Sequence, residues 1–379
     1  MNKTENYARA VSCYASDTAG VCSALYELGG MTVVHDASGC NSTYTTHDEP
    51  RWYDKESMIF ISALTEEDMI FGNDEKFISD VCETAEKLQP DFIAVCGSPM
   101  PAMTGFDYNF SAEEIENRTK ITTIGIETNG IDSYITGESK ALVKLAERVC
   151  KDTQKTAKPS ANILGMTPLD FSPNGSEKSI VKFLDDSGFE TVCCGTMGTD
   201  LNEFSEMGSA WVNLVVSQGG LALAEYLEKR FDIPFVTAVP TGKKLGGLVA
   251  ENLEKAYRKN ENIFLCGNRK PTESDFVIVG ESVFSSSLAL ALFLEKGIYA
   301  NVICPLETDR RLLCESDRIC TCEKKIAQEF SKSDIVVADG LYKPVCPENV
   351  SFFNLPHIAF SGRCFEKLWE NMIWENFRL

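Results

Sequence analysis

The sequence predicts an α/β protein built from three Rossmann-like parallel-sheet domains. Three observations predict it. Apolar runs of four to six residues, bounded by Gly, Pro or Asp, recur along the chain as buried parallel strands do. Stretches with helical apolar spacing separate them, the alternation of an α/β fold. Two polar breaks, at 151–159 and 268–271, divide that alternation into three units. The expected domains are 1–152, 160–267 and 272–379, a division that suits a chain of 379 residues.

In the first unit, strands are expected at 31–36, 57–62, 91–96 and 121–127, with helices at 19–29, 74–88, 112–117 and 134–150. The helix at 74–88 opens on acidic residues and stops at Gln89-Pro90. In the second unit, strands begin at Ala161, Glu190 and Ala210. A helix at 219–231 carries Leu221, Ala224, Leu227 and Phe231 on one face. In the third, strands at 276–279, 299–303 and 335–338 alternate with helices at 286–296 and 323–330. The C-terminal stretch 365–377 reads as a helix.

Composition narrows the function. The net charge of −20 repels phosphate backbones and argues against a nucleic-acid partner. No apolar run reaches membrane-spanning length, and the first residues lack the apolar core of a signal peptide, so a cytoplasmic location is expected. Fifteen cysteines are many for a reducing compartment, where disulfides are rare. Cys82, Cys150, Cys193, Cys194, Cys266 and Cys304 sit on apolar runs and read as small buried hydrophobes.

Three cysteines differ from these. Cys13 precedes the Gly20-Val21 helix, Cys40 follows Gly39 in a turn, and Cys96 ends an apolar strand. All three fall at loop or strand-end positions on one side of the first sheet. Thiolates are soft ligands suited to iron–sulfur clusters. Further along, Ser62, Glu66, Asp68, Phe71 and Gly72 form a Ser-x-x-x-Glu-x-Asp-x-x-Phe-Gly pattern.

With these residues the chain resembles the nitrogenase component 1 type oxidoreductases. That family includes the molybdenum–iron protein subunits, dark-operative protochlorophyllide reductases and cofactor-assembly scaffolds. The resemblance implies three such domains around a central cavity. It also implies a cluster at a subunit interface, of 4Fe-4S type, held by Cys13, Cys40 and Cys96. Three ligands per chain leave one position for a partner, in a homo- or hetero-oligomer with a related subunit. In the family the third cysteine lies slightly further on, where this chain has Ser98 or Pro99. The family's cofactor cysteine aligns with Ser217, and its cofactor histidine with His357 ahead of Phe360-Ser361-Gly362. Those two residues are the expected cofactor-binding pair. A serine in place of the thiolate argues against dinitrogen as substrate.

The implied activity is reduction of an unidentified substrate. Electrons would come from a separate ATP-hydrolysing iron protein docked on the first domain. Protons would come from acids such as His35 or Asp36, with His47 a further candidate. The alternatives are a scaffold or carrier for metal-cofactor assembly, or a paralogue without a cluster. Cys314, Cys320 and Cys322 form a tight group read as incidental thiols or as a metal or redox site. The turns at 195–199 and 280–285 follow strands and offer amides to a ligand cleft, but neither is a P-loop.

Overall fold

The computed structural model describes residues 10, 13, 15–39 and 49–377. It contains three separate all-parallel sheets, of four, four and five strands. The first takes its strands from β1 (Met31–His35), β2 (Met58–Ile61), β3 (Ile93–Gly97) and β4 (Thr123–Gly125), in the order β2-β1-β3-β4. Every residue of β1 and β3 is buried, as expected of central strands covered on both faces. The helices of this domain are α1 (Asp17–Leu25), α2 (Glu66–Phe71), α3 (Asp74–Leu88), α4 (Pro99–Thr104), α5 (Tyr108–Thr119) and α6 (Tyr134–Val149).

Strand alternation sorts the first sheet into two faces. Met31, Val33, Ile93 and Val95 pack with Phe77, Ile78, Val81 and Ile115 of α3 and α5. Val34, Ala94 and Cys96 face the opposite way, into the larger core that includes α1 and α6. Helices α1 and α6 lie almost backbone to backbone. A Cβ on Gly20 would stand 2.0 Å from the Tyr134 carbonyl oxygen, and one on Gly137 1.8 Å from that of Asp17. Two glycines therefore set how closely these helices approach.

The second domain contains β5 (Ser160–Leu164), α7 (Pro168–Phe171), α8 (Ser176–Asp186), β6 (Glu190–Cys194), α9 (Leu201–Ser205), β7 (Val212–Val215), α10 (Leu221–Phe231), β8 (Phe235–Thr237) and α11 (Lys243–Lys259). Its strand order is β6-β5-β7-β8. The third contains β9 (Phe276–Val279), α12 (Ser282–Lys296), β10 (Asn301–Cys304), β11 (Arg318–Ile319), α13 (Glu323–Phe330), β12 (Ile335–Ala338), β13 (Ser351–Asn354) and α14 (Ile358–Ser361), with strand order β11-β10-β9-β12-β13.

The helix expected at 365–377 does not form. The chain there makes two short 3-10 turns, Gly362–Leu368 and Trp374–Asn376. Between them Ile373 bridges Thr241, and the Trp374 amide donates to the Pro240 carbonyl at 2.7 Å. The Trp374 ring packs over Gly246 and against Phe183. Backbone groups that would have closed a helix are spent on the second domain instead, so the C-terminal segment straps domain three to domain two. Among the described residues no helix is long and apolar enough to cross a membrane.

Candidate redox crest and three-domain junction

The carboxyl ends of β1 and β3 form a crest on the first domain. Cys13 lies near the entry to α1, with its Sγ 3.2 Å from the Ala15 carbonyl oxygen and 3.3 Å from that of Ala359. Burial pushes this thiol up to about 12, while contacts to backbone groups pull the other way. It is therefore held as the neutral thiol near pH 7. Cys40 and His47 lie outside the described residues.

Cys96 has different surroundings from Cys13. Strand alternation turns its side chain into the core, where it is fully buried and contacts Cys22 of α1. That contact, followed by burial, holds the thiol well above the ordinary cysteine value. Among the described residues no three His, Cys, Asp or Glu side chains stand together as a metal site, and the group of Cys314, Cys320 and Cys322 is no exception. Cys314 and Cys320 are buried, whereas Cys322 is exposed.

Ser98, two residues past Cys96, begins α4 without making a capping hydrogen bond. Its Oγ is buried and has no partner. Its amide donates to the His35 carbonyl at 3.3 Å, which places it beside the end of β1. Ser98 thus offers an unpartnered oxygen at the strand end, while the Cys13 thiol lies against the Ala359 carbonyl of the third domain; a thiol and an oxygen are donor types that a cluster completed by further ligands takes. His35 is clamped between the Phe77 and Phe106 rings, each 4.4 Å away, with Nδ1 2.8 Å from the Ser62 Oγ. Burial lowers it to about 4, so it is neutral near pH 7 and a poor proton donor.

Helices α2 and α4 meet around a cavity of about 130 Å³ lined by His35, Asp68, Gly72, Lys76, Gly105 and Phe106. Thr65 and Asp68 form a capping box that starts α2, and Gly72 ends it in the left-handed region. The tips of both helices present apolar side chains to solvent: Ile70 is 67% exposed, Phe71 81% and Met103 84%. Ile131 is also 80% exposed, on a loop whose Gly130 lies against Pro99 at the start of α4.

Behind the crest, Arg51 fastens the first domain to the second. Its guanidinium donates to Glu49 at 2.6 Å, to Glu27 at 3.0 Å and to the Ser23 carbonyl at 2.8 Å. It also reaches the Thr196 carbonyl at 3.4 Å and lies over the Tyr26 ring. Thr196 belongs to the turn after β6, whose Met197 and Gly198 line a cleft of about 490 Å³ between the two domains.

The three domains meet around His357. Its ring stacks on Phe360 at 4.3 Å, and its Nε2 is 3.3 Å from Asp170 Oδ1. Tyr134 donates its hydroxyl to the same carboxylate oxygen. Ser217, the other expected cofactor residue, donates its hydroxyl to the Gly165 carbonyl at 2.8 Å and is fully buried. Gly165 holds a φ of +82°, and a side chain there would strike the Ser217 Oγ. Here Ser217 ties β7 to β5.

Two acids of this junction escaped the sequence reading. Glu281 caps α12, with Oε1 accepting from the amides of Gln218 and Val283 and Oε2 from that of Phe284. Glu138 lies on α6, fully buried, and neither of its oxygens has a hydrogen-bond partner of good geometry. The sequence did carry a signal: Glu138 is the one acid in an apolar stripe of Tyr134, Ala141, Leu142 and Leu145.

Comparison with known proteins places this geometry. Residues 17–263 match the family described as nitrogenase component 1 type oxidoreductase. A light-independent protochlorophyllide reductase protein of Leptolyngbya boryana, its B-type subunit, is 26% identical over 185 residues, covering 45% of this chain and 36% of that protein. The corresponding protein of Mesostigma viride is 24% identical over 271 residues, covering 62% and 52%. The chain thus spans about half or less of the curated relatives it matches. A solved chain of nitrogenase Cp1 at pH 6.5 superposes with a TM-score of 0.68 at 16% identity, covering 94% of this chain and 88% of that one. A likeness at that identity speaks to the fold alone.

Proposed function

The chain belongs to the nitrogenase component 1 type oxidoreductase family, and on that premise we propose that it is an electron-accepting reductase subunit acting on a substrate other than dinitrogen. An ATP-hydrolysing iron protein docks on the crest of the first domain. An iron–sulfur cluster shared with a second subunit would be held in part by Cys13 and Cys40 and would supply one-electron transfer. The observation that carries this reading is the crest itself. The unpartnered Ser98 Oγ and the Cys13 thiol sit on the same domain as the solvent-facing Ile70, Phe71 and Met103. Exposed apolar side chains gathered on one face mark a protein interaction surface.

This chain's residues do the rest. Cys13 and Cys40 hold the metal as thiolates, and Ser98 adds an oxygen donor at the strand end. Cys96 reaches that position only by leaving its place against Cys22. A set this short is completed across a dimer interface. Commitment of the Ser217 hydroxyl to Gly165 supports a substrate other than dinitrogen, because the side chain that would anchor a nitrogenase-type cofactor is spent on the fold. The protochlorophyllide reductase relatives support the same choice and suggest a conjugated tetrapyrrole as the substrate class to try.

Anaerobic purification followed by iron quantitation tests the ligand set. Cys40→Ala is expected to lose most bound iron, and Ser98→Cys to retain at least as much as the wild type. Unchanged iron in Cys40→Ala contradicts the assignment, and iron lost in Ser98→Cys removes Ser98 from it.

A further inference from the structure

The polar break at 268–271 also borders a cavity. Arg269 and Lys270 stand side by side where the second domain hands over to the third, and both line a hollow of about 210 Å³. Leu248 of α11, Leu265, and Ala289, Leu290 and Phe293 of α12 supply its apolar walls. At its edge the Phe293 and Tyr299 rings lie 4.8 Å apart, and both stay well exposed. An apolar hollow with a few fixed polar groups is the common form of a small-molecule site.

The two cations are held differently. The Arg269 side chain is only 9% exposed and donates to the Cys266 carbonyl at 3.2 Å, to the Ala300 carbonyl at 3.2 Å and to Asp317. A guanidinium has five N–H groups, so two are left without an acceptor among the described residues. Asp317 is buried in turn, its oxygens accepting the Val302 and Cys314 amides. It offsets the Arg269 charge, and Lys270 supplies the net charge of the site. Lys270 is exposed, with no acid at ion-pair distance among the described residues. None of the residues lining the cavity is Asp or Glu. On a chain of net charge −20, this hollow is lined by positive charge alone, and it selects an anion.

We propose that this cavity binds a small aromatic carboxylate, with the ring among Leu248, Leu290 and Phe293 and the carboxylate at Lys270 and the unspent N–H groups of Arg269. Size sets the class. A dry apolar cavity of ~150 Å³ takes benzene, so one ring with a short acid-bearing chain suits the larger volume here. A ligand so placed touches α11, α12 and the linker together and ties the second domain to the third. The site is independent of the reductase reading, because none of its lining residues belongs to the first domain or to the junction around His357.

Titration calorimetry of the full chain with 3-phenylpropionate as probe tests the assignment. The expected Kd is about 1 mM or below. The near-isosteric but uncharged 3-phenylpropionamide should bind about fivefold more weakly, the worth of one exposed ion pair. Lys270→Ala, a change at an exposed position, should weaken the acid by a similar factor and leave the amide unchanged. Leu290→Trp should fill the hollow and abolish binding of both. No detectable binding of the acid, equal affinity for acid and amide, or an acid affinity unchanged by Lys270→Ala overturns the proposal. If the acid does not bind and Leu290→Trp instead abolishes self-association, the proposal is again overturned, and the hollow belongs to a contact between copies of the chain.

Discussion

The crest of the first domain and the three-domain junction are built on opposite plans. At the crest, donor atoms lie at strand ends close to an exposed apolar surface, and two helix tips turn Phe71 and Met103 outward. At the junction nearly everything is buried, rings fill the space, amides satisfy Glu281, and the Tyr134 hydroxyl reaches one oxygen of Asp170. The difference separates two tasks. A site that exchanges electrons with another protein must be reachable from outside. A site that holds a proton on a carboxyl group gains from excluding water, because burial and neighbouring negative charge favour the neutral acid.

If the two regions are separate machines, breaking what joins them should damage stability most. Arg51 anchors the segment after the crest to α1 and to the turn after β6. Arg51→Ala removes the guanidinium from buried Glu49 and leaves Glu27 with Lys55 as its cation, and should cost about 3–5 kcal/mol in urea unfolding. A loss below about 1 kcal/mol would mean that the two domains are held mainly by other contacts.

Acid should sharpen the contrast. His35 at the crest has its folded value lowered to about 4 from 6.5 by burial. The unfolded chain therefore binds the extra proton first. His35 contributes stability that is fully present above about 6.5 and is lost as pH falls from there towards 4. The upper bound is about 3 kcal/mol. His35→Gln should flatten the stability–pH curve across that window, and a curve unchanged by the substitution would contradict the burial argument. Glu138 moves the other way: its raised value adds stability at low pH, lost as pH rises through the folded value.

The smallest effect on the fold belongs to the exposed tips. Phe71→Ala combined with Met103→Ala should change stability by less than about 0.5 kcal/mol. The same pair should weaken binding of the iron protein at least tenfold, read by titration calorimetry, since apolar side chains dominate such interfaces. Equal affinity in the double variant would move the docking surface elsewhere.

Much of the architecture was legible because parallel strands read as short apolar runs bounded by turn residues and helices carry stop signals. The strands at Glu190–Cys194, Phe276–Val279 and Ile335–Ala338 and the helix Asp74–Leu88 stand where apolar runs and stop signals put them. The helix Lys243–Lys259 was overlooked although Leu245, Val249, Leu253 and Ala256 repeat at helical spacing. The C-terminal segment misled because its backbone partners lie in another domain, which no local pattern reveals. The site was only half legible. Motif spacing pointed to Cys13 and Cys40, of which Cys13 alone lies among the described residues. Which way Cys96 faces depends on which side of the sheet carries α1, and that is a tertiary fact. Glu138 needed only a search for an acid among apolar helical neighbours.

Electron entry at the crest is best tested by rapid-freeze electron paramagnetic resonance. The anaerobic chain would be mixed with reduced iron protein and MgATP. The account predicts a reduced-cluster signal in this chain that depends on MgATP and disappears in Cys13→Ala. A signal of full size in Cys13→Ala, or none in the iron-loaded wild type, would contradict it.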